Sequence, residues 1–152
     1  MALFLFFCAL NKTKTSQMIL SIEHIGIATA NPEKAIGTFE KILNRKIAKT
    51  ELVNTEKVKT HFFQVGESQI ELLESMSTDG VISKFIEKRG QGMHHIAFKT
   101  DDILAEIARL KSAGFEFINE IPKQGADNKL IVFLHPKETE GVLIELCQDI
   151  NP

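Results

Sequence analysis

From Ser21 to Ala28 the chain alternates, with Ile22, His24, Gly26 and Ala28 on one side and Glu23, Ile25 and Ile27 on the other. This is the period of a β-strand. Asn31 and Pro32 then supply an N-cap and a first-turn proline, and Ala35, Ile36, Phe39, Ile42 and Leu43 fall at helical spacing, which predicts one buried stripe. Strand-like runs follow over Lys46 to Val53, Val58 to Val65 and Gln69 to Glu74, separated by turns at Asn54-Thr55-Glu56 and Gly66-Glu67-Ser68.

The same order then returns. A linking helix carries Val81, Ile82, Phe85 and Ile86 and ends at Gly90. Met93 to Lys99 reads as a strand, and Asp101-Asp102 caps a helix bearing Ile103, Ile107 and Leu110 that stops at Gly114. Strands are expected over Phe115 to Ile121, Leu130 to His135 and Val142 to Gln148, with a loop at Gly125 to Asn128 and a turn at Pro136 to Gly141. Two tandem βαβββ modules of α+β class are thus predicted, forming a curved, incomplete β-barrel around a metal site. Module 1 spans about 20–75, the linker helix about 76–91 and module 2 about 92–149, within one domain at 20–150; residues 1–19 are set apart as an N-terminal extension.

The modules share more than their pattern. His24-Ile25-Gly26 matches His95-Ile96-Ala97, and Ile70-Glu71-Leu72 matches Ile144-Glu145-Leu146, at nearly equal separations. Packing alone gives little reason for one polar residue type at one place in both halves. A carboxylate within an apolar strand is costly to bury without a partner. His24, Glu71, His95 and Glu145 are therefore the expected ligands of one divalent cation. Two imidazoles and two carboxylates suit an open, six-coordinate Co, Mn, Ni, Zn or Fe centre. Small residues beside His24 leave room for a ligand on its face. Alternation turns His94 to the opposite side, where it is expected to pack. Lys123 and Lys137 lie in turns and are candidates to meet a phosphate or carboxylate, while Gln64 and His135 have no assigned role.

Composition narrows the class. A net charge of −2 gives no general pull toward nucleic acid or an anionic membrane, and no Gly-rich phosphate loop is present. Cys8 and Cys147 make no disulfide framework, which fits a reducing, cytoplasmic setting. The apolar run Met1 to Leu10 is too short to span a bilayer and lacks a basic start or a small-x-small cleavage site. It is read as a tail packed on the surface or at a subunit contact, or as the product of an upstream start, with Met18 the natural beginning.

The strands around His24 and His95, with Phe133-Leu134-His135-Pro136-Lys137 and Gly141-Val142-Leu143-Ile144-Glu145-Leu146, resemble the methylmalonyl-CoA epimerases of the vicinal-oxygen-chelate (glyoxalase/bleomycin-resistance) superfamily. The resemblance runs from about Leu20 to Gln148. It implies a metal held by His24, Glu71, His95 and Glu145, a CoA-thioester substrate, and interconversion of (R)- and (S)-methylmalonyl-CoA through a metal-stabilised enolate. It also implies a homodimer. Glu145 is the expected main base, with Glu71, or a water it orders, serving the other face of the carbon. Some similar epimerases carry Gln where Glu71 stands, and some an acidic residue on the preceding strand, where this chain offers Thr60 and His61. The alternatives are lactoylglutathione lyase (glyoxalase I), a non-catalytic small-molecule-binding module of the same fold, and a ring-cleaving dioxygenase, against which the fourth ligand argues.

Overall fold

A computed structural model describes residues 18–150. The apolar run at the N-terminus and Cys8 lie outside the described residues. The first module comprises β1 (Ile19–Ala28), α1 (Pro32–Leu43), β2 (Lys49–Val53), β3 (Val58–Val65) and β4 (Ser68–Ser75). Helix α2 (Val81–Arg89) links it to β5 (Gly92–Thr100), α3 (Ile103–Ser112), β6 (Lys123–Gln124), β7 (Lys129–Leu134) and β8 (Ile144–Asp149). A single 3₁₀ turn, Pro136–Glu138, separates the last two strands.

All eight strands join one curled sheet in the order β2-β3-β4-β1-β5-β8-β7-β6. Read from the middle outward, the order is symmetric. β1 and β5 pair antiparallel at the centre, and each carries the last strand of its own module as a parallel neighbour, β4 and β8. The sheet curls until its edges face one another. Lys49 on β2 pairs with Asp127, whose amide donates to Glu51 at 3.0 Å, and Lys123 on β6 reaches Glu56 at 2.5 Å. Side chains thus bridge the two edges of the incomplete barrel.

The helices sit where their apolar faces direct them. Ile103 and Ile107 of α3 pack on Val132, Leu134 and Leu146, which point out of the curl. Ile82 of α2 joins Ala28, Val58 and Leu73 and closes one end of the interior. The caps form as expected: Asn31 accepts from the Lys34 amide at 3.0 Å, Asp102 from the Ala105 amide at 2.9 Å, and the Gly90 amide donates to Ile86 at 2.8 Å. Among the described residues no helix is long and apolar enough to cross a membrane.

Two expectations are corrected. α1 buries no residue fully, and Ile42 is 68% exposed, because the helix rests on the sheet through a narrower line that includes Phe39 against Phe63. The segment from Phe115 to Ile121 is not a strand. It makes one isolated bridge, Phe117 to Leu134, and the ladder resumes only at Lys123. Pro122, which has no N–H to give, follows Ile121, which is 82% exposed, so pairing with β7 stays limited to the Ile118 amide donating to Phe133 and Glu116 accepting from the His135 amide.

Candidate metal centre

The site is set by strand register. In module 1, Gly26 lies opposite Glu71; in module 2, Ala97 lies opposite Glu145. Each glutamate therefore sits beside the residue two places after its module's histidine, on the same sheet face. Across the central antiparallel pair, His24 is opposite Ala97 and Gly26 opposite His95. The two small residues thus stand directly across from the two imidazoles. The cavity inside the curl is lined by His24, Glu71, His95 and Glu145, with Val58, Leu73, Ile131 and Phe133 as apolar walls.

His24 Nε2 and His95 Nε2 are 2.8 Å apart. Glu145 lies beside both, with Oε1 3.7 Å from His24 Nε2 and Oε2 3.6 Å from His95 Nε2. Ligand atoms of these three residues all fall within 4.8 Å of one another. Glu71 approaches from the other side of the ring, 3.5 Å from His24 Nδ1, in a second group with Glu23. All four expected ligands are buried in one cavity, three of them converge directly, and the fourth shares His24 with a carboxylate that was not expected.

The charges respond to this crowding. Burial lifts the Glu145 carboxyl to about 8 and the Glu71 carboxyl to about 7, only partly offset by His24. Burial pulls the His24 imidazole down, but the carboxylates of Glu71, Glu23 and Glu145 outweigh it and hold its pKa at about 9. Burial, with the charge of His24, holds His95 well below the usual range, and burial lowers His94 to about 4. A protonated His24 donates from Nε2 to neutral His95 Nε2, leaving His95 Nδ1–H to donate to His94 Nδ1 at 2.9 Å. A donor set of two imidazoles and two carboxylates, buried together in one cavity, fits a divalent ion.

Two β-bulges overturn the simple alternation. Ile22 pairs with Phe98 and His24 with Ala97, so Glu23 is an extra residue on β1; Gly26 pairs with His95 and Ile27 with Met93, so His94 is the extra residue on β5. Glu23 consequently turns inward, is 7% exposed, and accepts a hydrogen bond from His24 Nδ1. His94, expected on the far face, instead lines the cavity beside His95 and meets Phe85 edge-on at 4.8 Å between ring centres. Glu23 and His94 occupy equivalent places, each just before a module's histidine. Alternation alone could not reveal them, although a carboxylate adjoining a candidate ligand was a visible sign. Buried Lys129, which lines the same cavity, was also missed.

The weaker candidates have local partners. Lys123 is paired with Glu56, Gln64 donates to Gly66 and Ser68 carbonyls across its turn, and His135 Nδ1 accepts from the Lys137 amide at 3.3 Å. Thr60 lines the cavity, whereas His61 faces away, bonded to Thr50 at 3.0 Å and Glu74 at 3.1 Å. Cys147 is a free, buried thiol that burial keeps protonated.

A model of the Glyoxalase/Bleomycin resistance protein/Dioxygenase superfamily matches residues 23–133. The chain is 39% identical to the uncharacterised protein YqjC of Bacillus subtilis over 127 residues, covering 84% of this chain and 91% of that one. It is 34% identical to the mitochondrial methylmalonyl-CoA epimerase of Homo sapiens over 128 residues, covering 84% and 73%. Among solved structures, a variant of Streptomyces coelicolor methylmalonyl-CoA epimerase in complex with 2-nitronate-propionyl-CoA superposes with a TM-score of 0.82 at 30% identity, covering 88% of this chain and 99% of that one.

Proposed function

This chain belongs to the glyoxalase/bleomycin resistance protein/dioxygenase superfamily, and we propose that within it the chain is a metal-dependent epimerase interconverting (R)- and (S)-methylmalonyl-CoA. The observation that carries this reading is the convergence of His24, His95 and Glu145 within 4.8 Å, at matching positions of two modules, with Glu71 3.5 Å from His24 Nδ1. The named relatives support the choice of substrate class.

The C2 proton of methylmalonyl-CoA lies between a thioester and a carboxylate, so its loss leaves negative charge spread toward the thioester oxygen. His24, Glu71, His95 and Glu145 would hold a divalent cation, which when bound supplies Lewis-acid stabilisation of that charge. The chain's own groups do the rest. Inversion needs a proton taken from one face of the carbon and returned to the other. Glu145 on β8 and Glu71 on β4 flank the central strand pair, so their carboxylates can meet the carbon from two sides. Glu145 acts as the main base. Glu71, or a water it orders, serves the other face. His61 is excluded by its orientation and Thr60 has no acidic group; Glu56 also lines the cavity but is engaged by Lys123, which leaves Glu71 for that side. The apolar walls limit water around the carbanion.

The test is a substrate comparison. Pure (S)-methylmalonyl-CoA should be converted to the racemic mixture by the metal-loaded protein, while the hemithioacetal of glutathione should not turn over. Turnover of the hemithioacetal without epimerisation of the thioester would instead assign a lactoylglutathione lyase.

A further inference from the structure

The bulge at Glu23 places a carboxylate where the reaction above has no use for one as a base. Its Oε2 accepts from His24 Nδ1, and its Oε1 lies 3.2 Å from Lys129 Nζ. Lys129 is itself held at 2.6 Å by Asp149 on β8, and Asp149 also pairs with Lys99 on β5 at 2.6 Å. A chain of contacts therefore runs from module 2, through a buried lysine, to the back of the module 1 histidine. Glu23 and Lys129 are each 7% exposed, so neither has bulk water as a substitute partner.

We propose that Glu23 is a positioning residue, which fixes the His24 ring so that Nε2 is the nitrogen offered to the cation, and that Lys129 and Asp149 hold Glu23 in that role. This rests on the metal-dependent reading above. A metal-bound imidazole is oriented by whatever accepts its other N–H, and a carboxylate acceptor also raises the basicity of the ligating nitrogen. Here ordinary strand alternation would have sent Glu23 to the opposite face. The extra residue in β1 brings it back, at the place where β5 has its own extra residue, His94, against His95. The two modules thus use one backbone device to set both imidazoles, with unequal partners: a charged carboxylate for His24 and a neutral ring for His95. Glu71 also lies near Nδ1, but at 3.5 Å, and without the lysine that fixes Glu23.

The test measures cobalt binding by the full chain, through competition with a chromogenic chelator and the visible absorption band of bound Co(II). The wild type should bind one equivalent. Glu23→Ala should weaken binding about 10- to 100-fold and shift the band, because the ring is free to turn. Glu23→Gln keeps the size and an acceptor oxygen, so it should recover part of that loss; it carries the test if the alanine variant does not fold. A merely structural role would lower the melting temperature of the metal-free variants and leave cobalt affinity and the band as in the wild type, and that result would overturn the proposal. Two equivalents in the wild type and one in Glu23→Ala would also overturn it, by making Glu23 a ligand. A wild type that binds no cobalt would remove both this role and the metal-dependent reading, whereas tight binding unaffected at Glu23 would remove this role alone.

Discussion

Gly26 and His95 face each other across the central strand pair, and a Cβ built on Gly26 would lie 2.3 Å from His95 Cε1. The space expected beside His24 for a ligand is in fact occupied by the ring of the second histidine. Gly26→Ala should therefore push His95 out of line. Overpacking of this kind costs about 1–3 kcal/mol, and a displacement near 1 Å at a reacting centre costs about 100-fold in rate. Thermal melting and kcat on methylmalonyl-CoA check this; a variant with wild-type rate would show that His95 need not stay where it is.

The two glutamates should separate when replaced by their amides. Glu145→Gln should lower both deuterium exchange at C2 and epimerisation by about 100- to 10,000-fold, the usual worth of a positioned base. Glu71→Gln should suppress epimerisation more than exchange of one epimer, since one face retains its base. Proton NMR on each pure epimer in deuterium oxide distinguishes the two patterns. Equal loss of exchange from both epimers in Glu71→Gln would place Glu71 with the metal alone.

The metal-free protein should lose stability as pH rises from about 6.5 to 9. Glu71 and Glu145 are raised in the folded state to about 7 and about 8, so their contribution is complete below about 4.5 and is lost as pH climbs through those values. His24, raised to about 9, adds stability that is complete below 6.5 and lost through 9, the same sign. His95 is shifted the other way, so its contribution rises with pH and is complete above 6.5. Melting temperatures in chelator across this range test the sum; a rising trend between pH 7 and 9 would contradict it.

Metal uptake should release protons and tighten as pH rises. The ion displaces the proton shared by the two Nε2 atoms and requires both carboxylates ionised. Calorimetric titration in two buffers of different ionisation enthalpy gives the number released near pH 6.5, which should exceed one.

Much of this arrangement was legible from the chain because it is written twice. His24 with His95 and Glu71 with Glu145 recur at matching places, and a period-two pattern fixes which face each residue takes wherever the ladder is regular. The pattern failed where the backbone departs from that period. Glu23 and His94 are bulged residues, and a bulge leaves no trace in hydrophobicity when its neighbours remain apolar. Phe115 to Ile121 failed for another reason: the segment meets β7 only around Phe117, and Pro122, with no N–H to give, interrupts the ladder before Lys123. Lys129 was overlooked because its partners Glu23 and Asp149 are distant in sequence and meet it only after the sheet has curled.

The central claim is that a cation gathered by both modules makes C2 of methylmalonyl-CoA exchangeable. The direct measurement is proton NMR of methylmalonyl-CoA in deuterium oxide, with chelator-stripped protein and with the same sample reloaded with Co(II). The stripped protein should leave the C2 proton signal in place and the reloaded protein should erase it; equal loss of the signal in both samples would contradict the account.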